Sequence, residues 1–307
     1  MTTPARDASP GHGAIADRLQ FPLSQQQIDA LVRAALDEDR AFEDVTTLST
    51  VPADLTARAS LVARAAGVIA GVPLAAAAFR LLDPRVTIDI LVEDGERVEA
   101  GTVVLRVSGS PRSLLSAERV ALNFLQRLSG TATLSARYVD AVRGTGARIL
   151  DTRKTTPLLR ALEKYAVRAG GGMNHRLDLA DAVLIKDNHI AALGGDTALA
   201  VRRAREFAPH GTRVEVECES VAQVSVALEA GADIVLLDNM PLDDVRACVA
   251  LAAGRAIVEA SGGVSLDTVR AIAETGVDWI SVGALTHSAP ALDLALDFED
   301  IGVPRAS

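Results

Sequence analysis

Short apolar runs alternate with amphipathic stretches along most of the chain, and the pattern changes character near residue 129. From Ser24 it predicts a helix over Gln25 to Asp37 with Ser24 as N-cap, then strand-like runs at Ala57 to Ala63 and Val86 to Val92. A further helix begins near Ser116, with Glu118, Arg119, Asn123 and Arg127 set among Leu114, Leu115, Val120, Leu122 and Leu125. It leads into a region of short apolar strands at Arg148 to Leu150, Ala182 to Ile185, Val214 to Val216, Ile234 to Leu237, Ala256 to Val258 and Trp279 to Val282. Helical patterns intervene, best seen at Ala198 to Phe207, Val221 to Ala230 and Leu266 to Thr275, the last two closed by Gly231 and Gly276. Near-continuous apolar strands alternating with helices predict a parallel sheet covered by helices.

Polar residues decide between a barrel and an open sheet. They follow nearly every strand: Asp151, Arg153 and Lys154; Lys186, Asp187 and Asn188; Glu217; Asp238 and Asn239; Ser261, Gly262 and Gly263; Gly283 and Thr286. Strands that all deliver chemistry to one rim match a (β/α) barrel, whereas an open sheet concentrates its contacts at one switch point. The region from Ser129 to Pro290 is short beside the ~250 residues typical of a full barrel. The predicted fold is therefore α/β, an incomplete (β/α) barrel over 129–290 with an N-terminal α+β sandwich domain over 21–128 that the segment 291–307 joins. A partner subunit would supply the missing cover.

Composition narrows this picture. At 307 residues and 49% hydrophobic the chain can bury two cores. Its apolar stretches are short and interrupted by charge, so no membrane helix is expected. Met1 to Leu19 mixes Pro, Gly, His and both charge signs without an apolar core; residues 1–20 read as a disordered extension and not an export signal, which places the protein in the cytoplasm. Cys218 and Cys248 lie in no C-x-x-C or metal-ligand cluster and read as buried small residues. A net charge of −9 with 3% aromatics argues against nucleic acid. Residues 148 to 186 nevertheless carry eight basic and four acidic side chains, and all three lysines, Lys154, Lys164 and Lys186, fall there, against 28 arginines in the whole chain. A compact ammonium does what the planar Arg fork does not, so this segment suits anions.

The glycines of Ser261-Gly262-Gly263 and of Val282-Gly283-Ala284-Leu285-Thr286 allow backbone N–H groups to approach an anion, and loops after the last barrel strands are the usual phosphate site. Gly144-Thr145-Gly146 precedes a strand, so no dinucleotide fingerprint is present. Glu217 and Asp238 close adjacent strands. Their carboxylates suit ribose hydroxyls or a Mg2+ carried by phosphates, or else a general acid and base pair. Glu215 shares the side of Glu217 and sits deeper, with no role assigned. Arg153, Lys154, His175, Arg176 and Lys186 form the anion cluster, since like charges at one rim repel unless an anion offsets them. His189 reads as a structural hydrogen-bonder, and His287 stays open. The stretch Glu93 to Val104 is similar to turns of biotinyl and lipoyl carrier domains, but no Lys precedes Lys154 to carry the cofactor.

Eight stretches resemble the quinolinate phosphoribosyltransferases, the type II enzymes that use 5-phosphoribosyl pyrophosphate (PRPP). They are Glu118 to Asn123, Asp151 to Pro157, Gly170 to Arg176, Ile185 to His189, Glu215 to Glu217, Leu237 to Asn239, Ser261 to Gly263 and Val282 to His287, within about residues 22 to 298. The resemblance implies transfer of the phosphoribosyl group to quinolinate with decarboxylation, giving nicotinate mononucleotide for NAD biosynthesis, with Mg2+. It implies a homodimer in which Arg119 reaches the partner site. There Arg119, Arg153, His175, Arg176 and Lys186 would surround the two carboxylates and Lys154 would lie between the substrates. Glu217 and Asp238 would hold the ribose and the Mg2+-linked region, and Ser261, Gly262, Gly263, Gly283, Ala284 and Leu285 the 5-phosphate. A related transferase for another aromatic acid and a phosphate-binding barrel lyase are the nearest rivals. A catalytically silent scaffold would have lost Arg119, Lys154 or Lys186, and all three are present.

Overall fold

The computed structural model describes residues 19–302. The extension expected over 1–20 thus falls almost entirely outside the described residues. The chain divides into two compact units, one holding residues up to Leu134 with Ala161–Gly171 and the segment from Ala289, the other Ser135–Arg160 and Gly172–Ser288.

In the first unit, helix α1 (Gln25–Glu38) starts at Ser24, whose hydroxyl accepts the Gln27 N–H while the Gln27 side chain accepts the Ser24 N–H. Ile28, Val32 and Leu36, four residues apart, form the buried stripe that helical periodicity requires. A short helix α2 (Val45–Thr50) precedes β1 (Thr56–Ala63). Next come β2 (Gly67–Val68), α3 (Val72–Leu82), β3 (Thr87–Ile90), β4 (Arg97–Val98) and β5 (Val103–Gly109). Strand β1 lies inside an antiparallel sheet of order β12-β1-β5-β3, where β12 is Leu294–Gly302, so the C-terminal segment completes this unit. The run Val86 to Val92 is shorter as a strand than its pattern suggests. The amides of Leu91 and Val92 both bond the Val104 carbonyl, and two residues against one end a ladder.

Helix α4 (Pro111–Ala141) begins five residues before the expected Ser116, with proline in its first position, where a missing N–H costs nothing. Gly130 on it is required by close approach, since a Cβ there would meet the Pro290 carbonyl oxygen at 2.1 Å. Helix α5 (Arg160–Ala169), which the pattern did not reveal, is largely assigned to this first unit. On it Lys164 is buried and the Tyr165 hydroxyl donates to Asp94. Of the three lysines, only Lys154 and Lys186 belong to the second unit.

The second unit holds a six-stranded parallel sheet: β6 (Arg148–Leu150), β7 (Val183–Ile185), β8 (Val214–Cys218), β9 (Ile234–Asp238), β10 (Ile257–Ser261) and β11 (Trp279–Ser281). The order is β6-β11-β10-β9-β8-β7: from β7 onward each strand pairs with the next in sequence, and β11 pairs with β6. That is the cyclic order of a (β/α) barrel with one seam unpaired, consistent with the incomplete barrel expected. Beside the seam a single parallel bridge joins Leu150 and Met173. Helices α6 (Asp187–Ala191), α7 (Thr197–Phe207), α8 (Val221–Glu229), α9 (Leu242–Ala252), α10 (Val269–Ala273) and α11 (Ala284–His287) accompany the strands. The helix expected over Leu266 to Thr275 contracts to α10 because Thr268 turns back, its hydroxyl accepting the Ser265 N–H. Both cysteines are free and buried, and no described helix is long and apolar enough to cross a membrane.

Candidate active site

Because the strands are parallel, their C-terminal tips share one rim, and the residues that follow them enclose a cavity of about 610 Å³. Arg153 and Lys154 follow β6, Lys186 follows β7, Glu217 and Asp238 lie at the C-terminal ends of β8 and β9, and Ser261, Gly262 and Gly263 close β10. His175 and Arg176 join them just after the Met173 bridge. The size suits a small-molecule site. A second hollow of about 240 Å³ shares Thr152, Lys154, Ser261, Gly262, Gly263 and Ser281 with the first and adds Gly283, Ala284 and His287. Of the residues expected at the 5-phosphate, Leu285 is fully buried and lines neither hollow.

Three local devices hold these groups. Asp151, wholly buried, accepts the His175 N–H at 2.9 Å and the Asn174 side-chain amide at 2.6 Å, which ties the loop after Met173 to the tip of β6. Thr286 donates to the Lys154 carbonyl at 2.7 Å, so α11 anchors the loop after β6. Gly262 (φ +89°) lies against Asn239, and a Cβ on it would sit 2.3 Å from the Asn239 side-chain oxygen. Gly262→Ala combines a left-handed backbone with that clash, and is expected to destabilise the protein by ~1–3 kcal/mol, lowering its melting temperature in calorimetry. An unchanged melting temperature would mean that this turn relaxes freely.

The electrostatics suit an anion. Burial first, and then the charge of Arg153, push the Arg176 guanidinium below its ordinary range, the signature of cations crowded away from water. The buried Nε of Arg153 has no hydrogen-bond partner. Lys186 is in contact with Glu217, while the Asn239 side chain donates to Asp238 at 3.0 Å. His189 accepts the Lys186 N–H through Nδ1 at 2.8 Å, the structural role anticipated for it.

Glu259 escaped the sequence analysis, although a lone carboxylate in the apolar run Ile257 to Ala260 was a signal. It is wholly buried, and it also borders the main cavity. Burial, then the charge of Glu215, raise its carboxyl to about 8. The native chain then keeps a proton that the unfolded chain releases near 4.5, so this residue makes stability fall as pH climbs from about 4.5 toward 8 and level off above. Glu259→Gln should flatten that part of a melting-temperature profile; an unaltered profile would rule the residue out as its source.

Arg119 belongs to the first unit, where it borders a separate hollow with Arg40, Glu43, Asp44 and Ser116. Its side chain is 59% exposed and 4.0 Å from Glu118.

Sheet order and rim chemistry together place the second unit among barrel-type enzymes for anionic substrates. Comparison with known proteins defines it further. The quinolinate phosphoribosyl transferase C-terminal domain matches residues 131–297 and the N-terminal domain of the same family residues 44–129. A carboxylating nicotinate-nucleotide pyrophosphorylase of Mycobacterium leprae is 46% identical over 90% of this chain and 99% of its own length. The solved nicotinate-nucleotide pyrophosphorylase of Francisella tularensis is 39% identical, with a TM-score of 0.85 covering 91% of this chain and 99% of that one. NadC of Streptococcus pyogenes is 45% identical, with a TM-score of 0.85 over 91% of this chain and 98% of its own. The chain belongs to the quinolinate phosphoribosyltransferase family.

Proposed function

We propose that this protein transfers the 5-phosphoribosyl group of PRPP to quinolinate with decarboxylation, giving nicotinate mononucleotide, CO2 and pyrophosphate, a step of de novo NAD biosynthesis. The observation that carries this reading is the junction of the two hollows: a cationic cavity able to take a dicarboxylate, open through Lys154 to a glycine-lined hollow able to take a phosphate. Arg153, Arg176 and Lys186 receive the two carboxylates, and His175 lines the same cavity. The backbone of Gly262, Gly263, Gly283 and Ala284 receives the 5-phosphate. Glu217 and Asp238 face the ribose between them.

Charge then dictates the course. Departure of pyrophosphate leaves C1 of the ribose oxocarbenium-like, and the carboxylates of Glu217 and Asp238 stabilise the developing positive charge. The pyridine nitrogen, held by the carboxylate contacts, attacks C1 and becomes cationic. The C2 carboxylate leaves as CO2, its bonding pair passes to the pyridinium ring, and a proton replaces it at C2. Positioning and electrostatics carry the rate, and no covalent enzyme intermediate is needed.

Glu217 and Asp238 are also the residues that would hold Mg2+, since hard carboxylate oxygens beside a phosphate-sized hollow match an ion that takes few protein ligands. When bound, Mg2+ neutralises charge on the leaving pyrophosphate. The working unit is a homodimer in which Arg119 enters the partner's site; its exposed guanidinium and an unpaired barrel seam support this. Two free buried cysteines suit the reducing cytoplasm.

The test is CO2 release and ultraviolet absorbance with quinolinate, PRPP and Mg2+, beside nicotinate and nicotinamide. PRPP-dependent decarboxylation of quinolinate alone is expected. Turnover of nicotinate in its place would assign a different acid, and failure to bind PRPP would end the phosphoribosyl reading.

A further inference from the structure

His175 borders the main cavity, yet both of its ring nitrogens are engaged inside the protein. Nδ1 accepts the Arg176 N–H at 2.8 Å. A backbone amide always donates, so Nδ1 bears no proton, and the proton of a neutral ring must sit on Nε2. Nε2 lies 3.1 Å from Oε2 of Glu215 and 3.7 Å from Oε1 of Glu259, both of them buried side chains on β8 and β10. The Nε2–H therefore points to Glu215.

A donor atom of each of His175, Glu215 and Glu259 lies within 4.8 Å of the others, the spacing of a metal triad. The tautomer argues against one: with Nδ1 already an acceptor, a metal on Nε2 would require a ring stripped of both protons. Glu215 instead holds the imidazole. What the imidazole grips in turn is the start of Arg176, whose guanidinium is fixed at its other end by a 3.1 Å hydrogen bond from Nη1 to the Ala182 carbonyl.

We propose that His175 is a positioning residue, a neutral imidazole held by Glu215 that sets Arg176 for a carboxylate of the aromatic acid and brings no charge of its own to the substrate. The proposal rests on the phosphoribosyl-transfer reading for the identity of that acid. The clamp itself does not, which separates the two tests.

The first measurement is the ring 15N spectrum of histidine-labelled full-length protein at pH 7, with the His175 signals identified by their loss in His175→Asn and His175→Gln. A neutral Nε2–H ring is expected. An imidazolium, or a proton on Nδ1, would overturn the proposal whatever the enzyme turns over. The second is steady-state kinetics on the same two variants. Asn can place an oxygen where Nδ1 accepts the Arg176 amide, whereas Gln matches Nε2. His175→Asn should therefore keep its KM for quinolinate within about threefold of the parent, while His175→Gln should raise it tenfold or more, with the KM for PRPP unmoved in both. The reverse order would mean that Nε2 meets the substrate directly, and equal losses would reduce His175 to packing. Glu215→Ala should reproduce the His175→Gln defect and Glu215→Gln, whose amide oxygen still accepts Nε2–H, should relieve it. A shared loss in both Glu215 variants would sink the clamp.

Discussion

Lys154→Ala is expected to lower kcat by about 10²–10³, the cost of losing one preorganised charge at the point where charge develops, while leaving the fold intact. The geometry gives both halves of that expectation. Lys154 is exposed and its backbone is held independently, its carbonyl accepting from Thr286 at 2.7 Å, so removing the side chain leaves its anchor in place. Its stem runs beside Gly283, where even a methyl group would lie 3.2 Å from Cδ. The ammonium is thus directed to the junction of the two hollows, where a pyridine acid and a phosphoribosyl group would meet. Lys154→Arg is expected to rescue poorly, because a planar fork does not replace a compact point charge against packed glycine. Circular dichroism melting and steady-state kinetics on the two variants decide it: parental turnover in Lys154→Ala would remove this residue from the chemistry.

Much of this site was legible in the sequence because a parallel barrel converts order along the chain into place at a rim. Once the apolar runs at Val214 to Val216, Ile234 to Leu237 and Ala256 to Val258 are read as strands, the polar residues just after each must gather at one end. Arg153, Lys154, Arg176, Lys186, Glu217 and Asp238 do gather there. What hydrophobic period could not reveal was the helix Val72–Leu82, which is apolar almost all round. The helix Arg160–Ala169 was missed for a different reason: sequence adjacency to the rim made Lys164 look like part of it, while the contacts assign it to the other unit. Glu259 was hidden because a buried carboxylate inside a strand has no local partner in sequence. Its neighbours, Glu215 and His175, come from elements 44 and 84 positions away and are united only by the sheet.

Arg119→Ala and Lys154→Ala should each be nearly inactive alone, yet regain activity when mixed. In a two-fold symmetric dimer whose sites each draw Arg119 from one subunit and Lys154 from the other, a mixed dimer gathers both substitutions into one site and leaves its second site native. Random exchange makes half the dimers mixed, each with one working site of two, so roughly a quarter of parental activity should return. The first unit bears the exposed Arg119 and the second bears Lys154, so the result discriminates between two ways of completing a site. If Arg119 serves the site of its own chain, every mixed dimer carries one defect in each site and no activity returns. The experiment requires that subunits exchange, which co-expression of differently tagged variants and purification of the doubly tagged dimer enforces; that species should show about half the parental rate. A doubly tagged dimer with no more activity than either variant alone would refute the shared site, and a chain that sediments as a monomer with full activity would refute the dimer itself.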